Sequence, residues 1–226
     1  MRTKDLSRLA VDGVICISLR ERQDRRDLIT DEFKNSGVTI EFMLVDPDTS
    51  NPERGCFDSH MQCARLAIER GYRNMLVLED DATLLAFSPS KVDQINNFLA
   101  HGKPALFYFG ATLGKIWLTW NRGVARFRAK GTFAYVLSNE GCKKLLGFSP
   151  YSGRAIDKIF TKHFKAYGVF PMICQHQPEE LAKSDILLHR SKDGTSPDAQ
   201  FWESNRRRQY SQAFKNLGKT LLLRDL

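Results

Sequence analysis

The chain has 226 residues, enough for one well-filled α/β domain and too few for two ordinary enzyme domains side by side. Hydrophobic residues make up 42% of it and aromatic residues 11%, a composition that excludes wholesale disorder. Lys and Arg number 34 against 26 Asp and Glu, and the formal charge of +8 favours an anionic partner such as a phosphorylated substrate, a nucleic acid or an acidic membrane surface.

The five cysteines are odd in number and widely spaced, without a C-x-x-C pair, so we expect reduced and mostly buried thiols. Residues 1–10 lack the apolar run of a signal peptide, and no segment approaches the length of a membrane span. These features predict a cytoplasmic protein of bacterial or viral type, at most peripherally in contact with a membrane.

The first elements read as strand, helix, strand. Residues 11–19 form a short apolar run with β-branched residues, and the polar segment after it has apolar residues at helical spacing. We expect Leu28, Ile29 and Phe33 to face the core and Gly37 to end the helix. A second strand at residues 38–45 completes a βαβ unit, whose two strands should be parallel.

The next elements lead to an acidic cluster. A turn-rich loop at residues 48–55 precedes a predicted helix at 56–70, and residues 74–78 are apolar throughout, as is typical of a central strand covered on both faces. This strand ends in Glu79-Asp80-Asp81. Open α/β sheets bind ligands at the carboxyl ends of their strands, so the cluster lies where a ligand is expected.

The remaining pattern is less regular. It predicts helices at residues 92–101, 139–146 and 155–167, and strands at 105–109, 133–137 and 169–174. Residues 110–128 are rich in Gly and Trp, which favours a loop that lines or covers a site. We divide the chain into an N-terminal extension at 1–10, a single domain at 11–190 and a basic C-terminal tail or docked helix at 191–226.

Three consecutive carboxylates after a buried strand repel one another unless a cation lies between them. An all-oxygen site with open positions suits Mn²⁺ or Mg²⁺. Side chains alternate along an extended segment, so Glu79 and Asp81 form the better metal-binding pair and Asp80 points away. A solvated acidic turn is the alternative.

Six segments, in order, resemble glycosyltransferase family 25, which includes lipooligosaccharide and procollagen galactosyltransferases. The resemblance covers about residues 12–188, and the segments are ICISLRERQDRR, GCFDSHMQCARLAIERG, LVLEDDA, GTFAYVLSNEGCKKLL, AIDKIF and PMICQHQPEELAKSDI. It implies a single GT-A-like (Rossmann-like) α/β domain with a mixed, mainly parallel sheet flanked by helices. It further implies a UDP-hexose donor carrying galactose or glucose, Mn²⁺, and inversion at the anomeric carbon.

By the same resemblance, the acidic cluster is the counterpart of a DxD motif. The donor would be bound by ten residues: Ser18, Leu19, Arg20, Asp24, Arg25, Asp46, His60, Asp80, Gly131 and Thr132. Two of these have competing interpretations. Arg25 either pairs with phosphate or forms an ion pair with Asp24 or Asp46, and His60 either contacts the donor or is a buried or capping histidine.

Inversion requires a carboxylate that takes the proton of the acceptor hydroxyl. Asp157 is the first candidate for this base and Asp185 the second, although an aspartate at the start of a helix also interacts favourably with the helix dipole. Gln175 and His176 are predicted to contact the acceptor or the metal. The acceptor would be a glycan, a lipid-linked saccharide or a protein hydroxyl group.

Two other functional classes remain open at this point. An acidic cluster with a basic surface also suits a metal-dependent phosphatase or nuclease. The second class is a non-catalytic relative of glycosyltransferases that binds glycan or nucleic acid. The sequence has no nucleic-acid-binding motif beyond its charge.

Overall fold

The computed structural model of the chain describes residues 2–177 and 199–222. Its strands are β1 (Gly13–Leu19), β2 (Glu41–Val45), β3 (Asn74–Glu79), β4 (Ala82–Leu84), β5 (Leu106–Tyr108), β6 (Leu113–Leu118), β7 (Val124–Lys130), β8 (Ala134–Ser138), β9 (Ala166–Val169) and β10 (Cys174–His176). Its helices are α1 (Gln23–Phe33), α2 (Pro52–Glu69), α3 (Ser90–His101), α4 (Asn139–Leu146), α5 (Ile156–His163), α6 (Ala199–Lys215) and α7 (Leu217–Leu221).

The central sheet has eight strands in the order β2-β1-β3-β8-β5-β9-β7-β6. The β1 strand pairs in parallel with β2 and β3, and β5 pairs in parallel with β9, whereas the other four pairs are antiparallel. Six strands therefore run in one direction, and only β7 and β8 run in the other. The predicted α/β class with a mixed, mainly parallel sheet is confirmed, as is the parallel βαβ unit at its start.

The sheet separates two hydrophobic clusters, and β3 contributes to both. Met75 and Val77 pack with α2, α4 and α5, while Leu76 and Leu78 pack with α1 and α3 on the opposite face. Alternate side chains of a strand point to opposite faces, so a strand buried between two helical layers must be apolar throughout. This is the physical reason for the apolar run that the sequence shows before the acidic cluster.

The prediction for helix α1 was wrong in part. Ile29 and Phe33 are buried as expected, but Leu28 is 40% exposed. Arg25 and Arg26 lie on the buried side instead. Arg26 donates hydrogen bonds to the carbonyl oxygens of Leu19 (2.6 Å) and Arg20 (2.9 Å), so its buried charge is satisfied by the backbone that follows β1.

The segment at residues 110–128 is not the loop that its composition favours, although its residues Ala111 and Thr112 line a cavity. It contains the antiparallel partner strands β6 and β7, with Leu113 paired to Lys130 and Leu118 to Ala125. The predicted helix at 155–167 ends at His163, and its last residues belong to β9. The predicted strand at 169–174 is absent from the described residues, because Val169 ends β9 and Cys174 begins β10.

The two ends of the described chain pack against this framework. Leu6 is fully buried and Leu9 is 8% exposed, and both belong to the same cluster as α1 and α3. At the other end, Ala213 of α6 is buried in the opposite cluster. Asn216, just before α7, donates a hydrogen bond to the carbonyl of Ile116 on β6. Within the described residues, none of the helices is both long and apolar enough for a bilayer.

Helix α4 begins at residue 139, as predicted, and Ser138 is its N-cap. The Ser138 hydroxyl accepts a hydrogen bond from the backbone N–H of Gly141 at 3.1 Å. We expect Ser138→Ala to lower the free energy of unfolding by about 1 kcal/mol, because that N–H loses its partner. Urea denaturation measures the change. Ser152→Ala, at an exposed serine outside any helix or strand, is the control and should leave the unfolding midpoint unchanged.

Candidate active site at the carboxyl ends of three parallel strands

A cavity of about 280 Å³ opens where β1, β2 and β3 end. Its walls come from the end of β1, Arg25 of α1, the end of β2 with the segment after it, the first half of α2, and the acidic cluster. The lining residues are Ile17, Ser18, Leu19, Arg25, Val45, Asp46, Pro47, Asp48, Thr49, Pro52, Gly55, Cys56, Ser59, His60, Glu79, Asp80 and Asp81. The parallel strands thus help to bring together residues from five separate parts of the sequence, at the edge where such sheets bind ligands.

All three carboxylates of the acidic cluster line this cavity. The strand β3 ends at Glu79 and the next two residues form the turn into β4, so the expected alternation, with Asp80 pointing away, stays a prediction. A turn does not preserve the alternation of a strand. The three carboxylates differ in the side chains that they contact.

Glu79 is held by two neighbours. Its Oε1 accepts a hydrogen bond from the Thr132 hydroxyl and lies 3.3 Å from Nε2 of His60. Burial raises the pKa of Glu79, but the hydrogen bonds from His60 and Thr132 outweigh it, so the pKa is lowered overall. Glu79 therefore retains its negative charge.

Asp80 forms a buried ion pair with Arg25. The distance from Nη1 of Arg25 to Oδ1 of Asp80 is 3.1 Å, and the two side chains are only 10% and 8% exposed. Burial raises the pKa of Asp80, and hydrogen bonds from Ser18 and Arg25 oppose it. The ion pair that was the alternative for Arg25 is thus present, with Asp80 as the partner. Asp24 forms its ion pair with Arg22, and Asp46 with Arg20.

Asp81 differs from its two neighbours. Its Oδ1 is buried and has no hydrogen-bond partner in the structure. Burial, together with the charges of Glu79 and Asp80, raises its pKa to about 8, against a smaller opposing effect of Arg25. An orphaned carboxylate oxygen at a cavity wall, beside two other carboxylates, fits a divalent cation with oxygen ligands. The residues present therefore fit Mn²⁺ or Mg²⁺, with Asp81 as the first ligand and Glu79 as the second.

His60 lies deep at the same wall and is 1% exposed. Its Nδ1 is 2.8 Å from the hydroxyl of Tyr135 on β8, and its Nε2 faces Glu79. The neighbouring Ser59 donates its hydroxyl proton to the carbonyl of Gly55 on the same helix, at 2.8 Å. His60 is thus buried, as one interpretation held, and also lines the cavity, as the other required.

The predicted donor-binding residues at the ends of β1 and β2 divide into two groups. Ser18, Leu19 and Asp46 line the cavity. Arg20 and Asp24 do not, since Arg20 forms an exposed ion pair with Asp46 at 3.2 Å and Asp24 pairs with Arg22 at 2.8 Å. The first group borders the cavity and the second lies on the surface beside it.

Gly131, Thr132 and Asp157 adjoin the acidic cluster without lining the cavity. The N–H of Gly131 donates to Oδ1 of Asp157 at 3.0 Å, while Thr132 contacts Glu79. Burial raises the pKa of Asp157, with the Gly131 hydrogen bond acting against it, and the charge of Glu79 raises it further. A carboxyl group with a raised pKa is a stronger base once it is ionised.

Gly131 has a φ of +106°, and a Cβ placed on it would lie 2.8 Å from the backbone nitrogen of Thr112. We expect Gly131→Ala to lower the free energy of unfolding by about 2 kcal/mol or more, because both the backbone angle and the space require glycine. Gly218→Ala is the matched control, since that glycine has open space around it. Chemical denaturation of the two variants should show a loss for Gly131→Ala only.

Gln175 and His176 lie on β10, which pairs with β4 directly after the acidic cluster. They line a second cavity of about 180 Å³, whose other walls are Ala111, Thr112, Phe133, Trp202, Glu203 and Arg206. Gln175 accepts a hydrogen bond from Arg206 at 2.6 Å, and the ring of Trp202 packs edge-on against His176. Asp185, the second candidate for the base, lies outside the described residues.

No protein-family model matches this sequence. Among solved structures, the chain is similar to A197 from STIV at 12% identity, covering 73% of this chain and 84% of that one with a TM-score of 0.49. It is also similar to a glycosyltransferase involved in glycosylation of the major capsid of PBCV-1, at 11% identity, 67% and 76% coverage and a TM-score of 0.39. A third is UDP-glucose pyrophosphorylase complexed with UDP-glucose, at 13% identity, 88% and 81% coverage and a TM-score of 0.43. Similarity at this level assigns no substrate to the chain, and membership of glycosyltransferase family 25 stays a prediction.

Sequence reasoning missed one wall of the first cavity, which comprises Asp48, Thr49, Pro52, Gly55 and Cys56. A signal was present, because Asp48 precedes Ser50 and Asn51 in a pattern typical of a structured turn. The Asp48 carboxylate accepts hydrogen bonds from the backbone N–H groups of Ser50 (3.1 Å) and Asn51 (2.9 Å). This turn places the start of α2 against the cavity.

Proposed function

We propose that the chain is a metal-dependent, inverting glycosyltransferase that moves galactose or glucose from a UDP-sugar to a hydroxyl group of a glycan, a lipid-linked saccharide or a protein. The observation that carries the proposal is Asp81, whose buried oxygen has no hydrogen-bond partner at the wall of a cavity that two further carboxylates line. The six sequence segments that resemble glycosyltransferase family 25 support the choice of donor and of stereochemistry.

In this proposal Asp81 and Glu79 hold Mn²⁺ or Mg²⁺. When bound, the cation neutralises the negative charge that develops on the diphosphate leaving group. Asp80 keeps Arg25 at the cavity wall through their ion pair, where the guanidinium adds positive charge for the phosphates. Thr132 and His60 keep the Glu79 carboxylate in place through their contacts with its Oε1.

The nucleotide would occupy the part of the cavity between β1 and β2. Ser18 and Leu19 offer backbone and hydroxyl groups there, and Asp46 offers a carboxylate that accepts hydrogen bonds from uracil or ribose. The apolar side chains of Ile17, Val45 and Pro47 form the rest of this wall and suit a flat base.

The acceptor would approach from the second cavity, beside Gln175 and His176. Asp157 would take the proton of the acceptor hydroxyl as that oxygen attacks the anomeric carbon and the bond to UDP breaks. Its pKa is raised by burial, which increases its basicity, and the Gly131 N–H fixes one of its oxygens. The indole ring of Trp202 offers a face typical of sugar-binding sites.

The test is incubation of the purified chain with UDP-galactose, UDP-glucose and UDP-N-acetylhexosamines in the presence of Mn²⁺. We expect release of UDP from one donor, and thermal stabilisation by UDP that requires the metal. Release of phosphate from monoesters without UDP would instead indicate a metal-dependent phosphatase. Stabilisation by UDP that is equal with Mn²⁺ and with EDTA would contradict the proposed site.

A further inference from the structure

We propose that Cys56, His60 and Glu79 form a binding site for Zn²⁺, separate in its ligand chemistry from the all-oxygen site at Asp81. One ligand atom from each side chain lies within 4.8 Å of the other two. Thiolate, imidazole and carboxylate are the three ligand types that zinc binds in proteins, commonly as three protein ligands with a water at the fourth position.

The local structure explains why these three side chains converge. Cys56 and His60 are four residues apart on α2, so they lie on the same face of the helix. Glu79 ends β3, and the helix packs against the sheet at that point. The ligand pair on the helix and the single ligand on the strand therefore belong to two rigid elements, which favours a preformed site.

The distances fit a tetrahedral ion. With metal–ligand bonds of about 2.0 Å to nitrogen and oxygen, two tetrahedral ligands lie about 3.3 Å apart. The observed distance between Nε2 of His60 and Oε1 of Glu79 is 3.3 Å. The sulfur of Cys56 lies within 4.8 Å of a ligand atom of each of these two residues, and a thiol on a half-buried side chain can adjust its position by rotation about χ1.

The surrounding contacts orient the ligands as zinc sites require. The other ring nitrogen of His60, Nδ1, lies 2.8 Å from the Tyr135 hydroxyl, which leaves Nε2 to face the ion. Thr132 donates a hydrogen bond to the carboxylate of Glu79. On binding, the thiol of Cys56 releases its proton to solvent and the thiolate becomes a ligand.

A thiolate distinguishes this site from that of the proposed sugar transfer. Mn²⁺ and Mg²⁺ prefer oxygen, whereas zinc and cobalt accept sulfur and imidazole. Glu79 belongs to both ligand sets, and all three zinc ligands line the first cavity. Zinc would therefore withdraw Glu79 from the all-oxygen site and occupy space next to it, which makes this an inhibitory site.

Cobalt(II) is the probe, because its thiolate complexes absorb in the near ultraviolet and its tetrahedral complexes absorb in the visible. The reduced, EDTA-treated chain is titrated with Co²⁺ and then with Zn²⁺, without any nucleotide. We expect one equivalent of Co²⁺ to produce both bands and Zn²⁺ to abolish them. Cys56→Ser should remove the near-ultraviolet band and weaken Zn²⁺ binding about 100-fold, and Tyr135→Phe should weaken it about tenfold.

Cys63→Ala is the matched control, because that thiol is on the same helix but contacts Met43 away from the cavity. It should keep both bands. If a variant fails to fold, the wild-type chain can be tested by alkylation. Zn²⁺ should slow the reaction of Cys56 with iodoacetamide, measured by peptide mass spectrometry, and Mn²⁺ should not. A cobalt spectrum without a thiolate band, or equal alkylation rates with and without Zn²⁺, would overturn the site. Neither measurement uses a sugar donor, so the site is judged independently of the proposed transferase activity.

Discussion

Arg25→Met is expected to lower the free energy of unfolding by about 3 to 5 kcal/mol, measured by urea denaturation at pH 7. The substitution keeps an unbranched apolar side chain but removes the guanidinium from a pair whose members are 10% and 8% exposed. Asp80 is then left as a buried carboxylate without its cation, and a charge in that position costs far more than the ion pair contributes.

A surface pair provides the matched control. Arg8 and Asp93 are 2.9 Å apart, but their side chains are 63% and 60% exposed. Water solvates Asp93 once its partner is gone, so Arg8→Met should change the free energy of unfolding by less than about 1 kcal/mol.

A double variant tests the cause. Arg25→Met combined with Asp80→Leu removes both charges, and it should recover at least half of the loss that Arg25→Met causes alone. Equal losses in the single and double variants would show that the packing of Arg25, and not the stranded charge of Asp80, determines the effect.

The position of the acidic cluster could be predicted because it depends on local pattern. An apolar run that ends in charge is typical of a central strand, and the βαβ unit before it follows from hydrophobic periodicity. Those two elements bring Ser18, Asp46 and Glu79 to one edge of the sheet, since parallel neighbours end on the same side. The position of this part of the cavity can therefore be predicted without knowing which residues distant in sequence are in contact.

The partners within the site could not be predicted in the same way. Arg25 and Asp80 are 55 residues apart in the sequence, and the hydrogen-bonded residues Thr132 and Glu79 are 53 residues apart. Such contacts depend on which helix covers which face and on the antiparallel insertion of β8 beside β3. Sequence spacing carries little information about either, and it favours Asp24 and Asp46, which lie near Arg25 in sequence or at the same edge of the sheet.

The segment at 110–128 was misread for a related reason. Glycine and tryptophan are typical of loops that line sites, yet Gly114 has a φ of +136° inside β6, where a Cβ would lie 2.4 Å from the carbonyl oxygen of Arg128. The glycine permits close approach of β6 and β7. The glycine that favours a loop in the sequence is thus required by the close pairing of β6 and β7.

Asp81→Asn is expected to make the metal-free chain more stable at pH 7.5 while removing its response to Mn²⁺ and UDP. The pKa of Asp81 is raised from an ordinary value of 3.8 to about 8, through burial and the charges of Glu79 and Asp80, with Arg25 opposing. Between these two values the folded chain holds a proton that the unfolded chain has released, so stability falls as the pH rises from about 4 to about 8. Asparagine has no such proton to lose.

The stability difference between Asp81→Asn and the wild type is largest near and above pH 8, where the raised pKa of Asp81 costs the wild type most. Each pKa unit corresponds to about 1.4 kcal/mol, so at pH 7.5 the variant should exceed the wild type by about 2 kcal/mol or more in EDTA. Urea denaturation at pH 5 and pH 7.5 measures this difference. Asp58→Asn, at an exposed position of α2, is the control and should keep the wild-type dependence on pH.

The two effects of Asp81→Asn have opposite signs, and that makes the result specific. A substitution that merely damaged the fold would lower the stability of the metal-free chain together with its response to ligand. A neutral amide needs no proton uptake on folding but leaves the cation a weaker ligand set, so stability at pH 7.5 rises while the shift produced by Mn²⁺ and UDP disappears. A variant less stable than the wild type in EDTA, or one that retains the metal-dependent shift, would contradict the assignment of Asp81 as the first ligand.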